Sequence, residues 1–158
     1  MYFSTVQGTP MKTLTEALKE VLTDINIHFN SDGFEVINVD PGHISFVALK
    51  LNGEKFEEYH CPTAFHVGVN MLSLHKLLKT IGNNDTLTMY ITKEKPDKLG
   101  VIIQNKKKRI FNRITYNLLD VDLVEIDIPE VDIDKIIAVA NAAGPKLDRL
   151  VEKILAKI

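Results

Sequence analysis

Few residues of this chain are of a type and spacing that could do chemistry. The five histidines, His28, His43, His60, His66 and His75, show no HxxxH or HxH spacing, and Cys61 has no second cysteine with which to hold a metal. Asp120 and Asp122 invite a metal or acid/base reading, but solvated carboxylates in a loop are far commoner. Gly-rich phosphate loops and Ser-His-Asp signatures are absent. Catalysis is not indicated, and neither a cofactor nor a metal is expected. What remains is positive charge. Lys12 and Lys19 stand seven apart, Lys76 and Lys79 three apart, and Lys106-Lys107-Lys108-Arg109 are consecutive. Lysines turned outward from two helices could form a surface for a polyanion; they are equally what solvated helix faces carry, and spacing alone favours the second. The run 106–109 reads as a solvated hairpin tip, with an auxiliary DNA or partner contact as the alternative.

Two helices must position those lysines. Leu74, Leu77, Leu78 and Ile81 recur at helical spacing within residues 72–85, with Lys76 and Lys79 on the opposite side and Gly82 at the expected stop. Over residues 9–23, Met11, Leu14, Leu18, Val21 and Leu22 make a second buried stripe, with Lys12 and Lys19 outside it. Thr9 followed by Pro10 suits an N-cap and first helical residue. Strands are expected near 2–6, 25–30, 34–39, 43–51, 56–61, 65–70, 86–92, 98–104 and 109–117. Alternation in Ile25-Asn26-Ile27-His28-Phe29 and Thr86-Leu87-Thr88-Met89-Tyr90-Ile91-Thr92 means one wet and one buried face, as in antiparallel sheets. Turns are expected at Ser31-Asp32-Gly33, Pro41-Gly42, Asn52-Gly53-Glu54 and Lys95-Pro96-Asp97-Lys98. The order implies an α+β domain with antiparallel sheets and both helices on one side.

Composition narrows the function. A chain of 158 residues with 45% hydrophobic and 25% charged residues supports one ordinary domain with a real core, with room for a small appendage. A net charge of −2 argues against a wholesale basic nucleic-acid binder, so any DNA contact must rely on a local patch. One cysteine rules out a disulfide within the chain and suits a reducing compartment. The N-terminus lacks a basic-then-apolar signal and no run of 18 apolar residues exists, so neither secretion nor membrane spanning is expected.

The order of elements, with the residues that fill it, resembles the N-terminal domain of the proliferating cell nuclear antigen family, the DNA sliding clamps. The resemblance spans residues 3–130. It rests on Val6-Gln7-Gly8, Glu16-Ala17-Leu18-Lys19, Val39-Asp40 with His43-Ile44-Ser45, Tyr59-His60-Cys61, Gly68-Val69-Asn70, and Lys76-Leu77-Leu78-Lys79 with Gly82-Asn83. It closes with Leu119-Asp120-Val121-Asp122 and Ile126-Asp127-Ile128-Pro129-Glu130. It implies a ring of six such domains around duplex DNA, helices lining the hole, that keeps a polymerase processive. Lys12, Lys19, Lys76 and Lys79 would then face phosphates, and the DNA-facing reading overtakes the solvated one. Residues 118–130 match the family's connecting loop, which with a pocket beneath it receives short Gln-plus-hydrophobic-plus-aromatic peptides from polymerases and other partners. The carry-over puts Val39, His43, Ile44 and Phe46 in the pocket and Ile126, Ile128 and Pro129 on the loop. Ile126 and Ile128 could equally pack the linker against its own sheet, and the two readings are compatible. The family's edge strand near 109–117, here Arg109, Ile110, Phe111, Arg113 and Thr115, pairs with a neighbouring subunit, so self-association is implied. The site of action would be the nucleus or another intracellular replication site. A different class stays open: a protein-interaction scaffold, natural or engineered, that never threads DNA.

Three units follow: a clamp domain over 1–118, a connecting loop over 119–133, and a helical hairpin over 134–158. Asp134 suits an N-cap, Gly144 a stop and Pro145 a new start; Leu147, Leu150, Val151, Ile154, Leu155 and Ile158 then keep helical period. The family has a second clamp domain at this position. The hairpin is therefore expected to be appended or engineered, although an atypical natural tail remains an alternative.

Overall fold

Alternating apolar residues and polar turns produce the architecture almost directly. The computed structural model describes residues 1–39 and 46–121, with Phe46 described by its backbone alone. In chain order the elements are β1 (Tyr2–Thr5), α1 (Gly8–Leu18), β2 (Asp24–Asn30), β3 (Gly33–Val39), β4 (Phe46–Asn52), β5 (Glu58–His60), β6 (Phe65–Asn70), α2 (Met71–Leu78), β7 (Thr86–Thr92), β8 (Lys95–Asn105) and β9 (Ile110–Asn117). A short 3-10 turn, Gly53–Lys55, joins β4 to β5. One sheet runs β5-β1-β7-β8-β9 and the other β4-β3-β2-β6, and every pairing is antiparallel. This is the expected α+β class.

One core joins all the layers. Met11, Leu14 and Leu18 of α1 and Met71, Leu74 and Leu78 of α2 lie in the same buried cluster as Val36, Leu49 and Val67 of one sheet and Leu87, Val101 and Ile103 of the other. Phe3 ties the sheets at the centre. Its ring lies 6.3 Å from Phe29 and 5.9 Å from Phe34, so residues of β1, β2 and β3 share one aromatic cluster.

Local chemistry explains the boundaries, including those that depart from expectation. Helix α1 starts at Gly8 with Gln7 in the cap position and no side-chain cap, where Thr9 was expected. Packing sets that start: a Cβ on residue 8 would meet Ile81 Cγ2 at 2.8 Å and the Asp85 carbonyl at 3.2 Å. Pro10 still falls within the first turn, where its missing N–H costs nothing. The helix ends at Leu18 rather than running to residue 23. The Val21 and Leu22 amides bond back to the Leu18 carbonyl at 3.1 and 2.8 Å, and this turn still buries Leu22. Lys95-Pro96-Asp97-Lys98 is strand, and the chain reverses at residues 93–94 instead. The pairing shifts between Tyr90↔Gly100 and Thr92↔Lys95, and that irregularity takes up Pro96 ahead of the ladder with β9. In the β2–β3 turn Asn30 Oδ1 accepts from the Asp32 and Gly33 amides at 2.9 and 3.1 Å. Gly33 has φ +149°, where a Cβ would sit 2.0 Å from the Leu51 carbonyl.

After β9 the chain leaves its own sheet and lies along the edge of the other. The Leu119 amide bonds the Gly68 carbonyl at 2.8 Å, and Asn26 Nδ2 bonds the Val121 carbonyl at 2.8 Å. The segment thus passes from β6 to β2, heading across the face of the four-stranded sheet that points away from the core. The Pro41-Gly42 turn, most of residues 119–133 and the hairpin expected at 134–158 lie outside the described residues.

Candidate nucleic-acid interface

The two helices pack against each other and bury their apolar stripes in the common core. Asn70 anchors α2: its Oδ1 accepts the Ser73 amide at 3.0 Å, its Nδ2 donates to Asp24 Oδ1 at 2.6 Å, and its own amide donates to the Tyr116 hydroxyl at 3.1 Å. With Met71, Leu74 and Leu78 buried, Lys76 and Lys79 are left exposed, and neither has an ion-pair partner among the described residues.

The lysines of α1 are held differently. Half-buried Lys12 reaches across to the segment after α2, its Nζ donating to the Ile81 carbonyl at 3.1 Å. Lys19 bonds its neighbour Glu20. Lys19, through that hydrogen bond and then through its charge, holds the exposed Glu20 carboxyl below its usual range, and the nearby His75 of α2 adds to this. Glu16 is also exposed, so the outer face of α1 carries mixed charge while that of α2 carries only positive charge. Lys12 and Lys76 thus lie within the two packed helices and Lys19 and Lys79 at their C-caps, α2 ending at Leu78 short of the expected stop at Gly82. Lys12 and Lys19 are tethered, while Lys76 and Lys79 have no ion-pair partner among the described residues.

The carried-over pocket is seen only in part. Val39 ends β3, half-buried and opposite Phe46, on the sheet face toward which residues 119–121 run. His43, Ile44, Ile126, Ile128, Pro129 and the Phe46 side chain lie outside the described residues. The edge residues are placed in full. Among the described residues strand β9 borders β8 on one side only, with Ile110 43% and Phe111 56% exposed. Arg113 Cζ lies 5.9 Å from the Phe111 ring centroid, Thr115 follows on the same face, and Arg109 closes the preceding turn at φ +53°.

Strand register brings together one pair of groups that spacing along the chain did not reveal. His28 and His66 are direct partners across β2 and β6, with ring centroids 4.5 Å apart, and His28 Nδ1 is buried without a hydrogen-bond partner among the described residues. No cluster of three or more candidate metal ligands occurs among the described residues. Burial pushes the Cys61 thiol above its ordinary value and its Sγ sits 3.3 Å from the Thr63 carbonyl, so it is a poor nucleophile.

Two packed helices bury their apolar faces and leave Lys76 and Lys79 exposed, and strand β9 carries exposed Ile110 and Phe111 at a sheet edge. The sequence matches the family described as proliferating cell nuclear antigen, N-terminal domain, over residues 3–127. It is 34% identical over 138 residues to "Probable DNA polymerase sliding clamp 1" of Paramecium bursaria Chlorella virus 1, a match covering 87% of this chain and 53% of that relative. The chain belongs to the proliferating cell nuclear antigen family of DNA sliding clamps, in its N-terminal domain. Members of that family are non-enzymatic processivity factors. The chain spans about half the length of the curated relative it matches. A match of 138 residues also runs past residue 130, into the part expected to hold the hairpin.

Proposed function

We propose that this chain is the N-terminal part of a DNA sliding clamp: a subunit of a ring around duplex DNA that holds replication and repair proteins on it, with α1 and α2 facing the duplex. The observation that carries the reading is the exposed pair Lys76 of α2 and Lys79 at its C-cap, without ion-pair partners among the described residues, on the helix that packs against α1 with its Lys12 and C-cap Lys19. An ammonium on a flexible stem meets phosphate as a mobile, screened point charge with no sequence information. A sliding protein needs that kind of salt-sensitive attraction, because base-specific contacts would arrest it. The net charge of −2 fits, since residues away from the helices are then acidic on balance. In this reading the chain acts at an intracellular replication site; among the described residues no helix is long and apolar enough to cross a membrane.

Partner docking belongs to the same proposal. Val39 of β3 pairs in register with residue 46 of β4, and residues 119–121 run from β6 toward β2 of the same sheet, which supports the reading. A connecting loop continuing that way would cover an apolar patch formed by Val39, His43, Ile44 and Phe46, with Ile126, Ile128 and Pro129 above it. A partner's hydrophobic and aromatic side chains would fill it.

Fluorescence anisotropy with duplex DNA at low salt tests the DNA contact. Lys76→Glu with Lys79→Glu should weaken binding more than Lys12→Glu with Lys19→Glu, because the second pair is already tethered. Binding that ignores all four changes overturns the reading and favours a scaffold that does not thread DNA. For docking, calorimetric titration with a motif peptide should give weaker binding after Ile128→Ala; tight binding insensitive to that change removes the site.

A further inference from the structure

We propose that the β8–β9 hairpin tip, Lys106–Arg109, is a second phosphate-contacting site for duplex DNA, extending the lysine face of the helices around one corner of the domain. This rests on the nucleic-acid reading above. All four side chains are exposed, and none forms an ion pair among the described residues, although the Lys108 charge acts weakly on the nearby Asp85 carboxylate. Four consecutive positive charges in a chain of net charge −2 are a strong local concentration. Reversing the chain does not call for them: like charges repel, and a short polar turn would suffice.

The tip is held in place from beneath. Buried Asn105 accepts the Lys108 amide on Oδ1 at 3.0 Å and donates from Nδ2 to Asp85 Oδ1 at 2.6 Å. Asp85 Oδ2 in turn accepts the Gly82 amide at 2.7 Å. Two buried polar side chains therefore fasten the base of the tip to the turn that follows α2. The same turn receives α1, through the Lys12 bond to the Ile81 carbonyl and the close approach of Gly8 to Ile81 and Asp85. Lys12, Lys79 and the tip thus come from three elements that meet at one corner. There the Arg109 guanidinium can fork two phosphate oxygens, while the lysines act as point charges.

The test measures anisotropy of the full chain on a short duplex across a salt series. Lys106, Lys107, Lys108 and Arg109 are changed together to Gln in one variant, and Lys76 and Lys79 to Gln in another. If about two of the tip charges meet phosphates at once, the tip variant should bind roughly tenfold more weakly, with a salt slope shallower by about two. An unchanged slope and affinity for the tip variant, with the helix variant weakened, overturns the tip and leaves the helix reading standing. The reverse pattern sustains the tip and overturns the helix reading. If both variants bind as before, both fail. A tip variant that changes self-association while leaving DNA binding intact assigns the tip to subunit contact and overturns this proposal.

Discussion

Single side chains at crowded positions give the most direct tests. A Cβ on residue 68 would stand 2.1 Å from the Leu119 carbonyl oxygen, which is backbone and cannot swing aside. Gly68→Ala should therefore push residues 118–121 off the β6 edge and cost about 1–3 kcal/mol in urea unfolding, as overpacking does. At Gly100 the nearest atoms belong to the outer end of the Tyr90 ring, 2.2 Å from the built Cβ, and Tyr90 is only half-buried. Gly100→Ala should be milder, because a side chain can turn away; equal losses at the two sites would refute the backbone argument. Asp85 gives a pH-dependent case. Hydrogen bonds from Asn105 and then the Gly82 amide, with a smaller contribution from the Lys108 charge, hold its carboxyl below the ordinary range. The unfolded chain takes up that proton at higher pH than the folded one. The stabilisation is therefore complete above the unfolded value of about 3.9 and is lost as pH falls through the folded one. Asp85→Ala leaves two donors without their acceptor and should cost about 2–4 kcal/mol at pH 7, with a smaller gap from the parent at about pH 3.5. A gap of constant size would show that the charge is unimportant. At this scale the sequence revealed types and spacings. Lys76 and Lys79 could be placed outside because their neighbours repeat at helical period. The His28–His66 contact could not, since it depends on which residues of two strands stand opposite.

At the scale of elements, what was legible followed period and what was not followed packing. Apolar alternation placed the strands to within a few residues, and the stripes Met11, Leu14, Leu18 and Leu74, Leu78 are buried as periodicity implies. The start of α1 departs from the expected Thr9 cap because it is fixed by contact of Gly8 with Ile81 and Asp85, far along the chain. Pro96 reads as a turn residue, yet the register irregularity in β8 absorbs it. The two helix caps predict opposite outcomes. Asn70 caps α2 with its side chain, so Asn70→Ala should lower stability by about 1 kcal/mol from the cap alone, and further through loss of the Asp24 contact. Gln7 gives α1 no such bond, so Gln7→Asp has something to gain, about 0.5–1 kcal/mol if its backbone can relax toward the extended range. Thermal melts of both variants check the pair. A loss at both positions would mean that contact with residues 81–85, not capping, governs the start of α1.

Across the whole molecule, the two sheets leave unequal borders. The Leu119 segment lies along β6 at one end of the four-stranded sheet, whereas among the described residues nothing pairs the outer side of β9. An edge strand of eight residues with exposed Ile110 and Phe111 offers both backbone groups and apolar surface to another chain. Soluble proteins usually blunt such an edge with charge. Here Arg113 lies over Phe111 but leaves that ring more than half exposed. The expected outcome is self-association that strengthens with concentration, through an edge of the kind that closes a ring by head-to-tail contact. Sedimentation velocity on the intact chain, and on Ile110→Asp with Phe111→Asp, measures this. Both side chains are exposed, so the double change should leave the fold intact while shifting the chain toward monomer. A loss of two contacts of about 1–2 kcal/mol each corresponds to roughly thirty- to thousandfold weaker association. An intact chain that stays monomeric at high concentration would show that β9 needs a partner edge unlike its own. Association that persists after both substitutions would place the contact on another face of the chain.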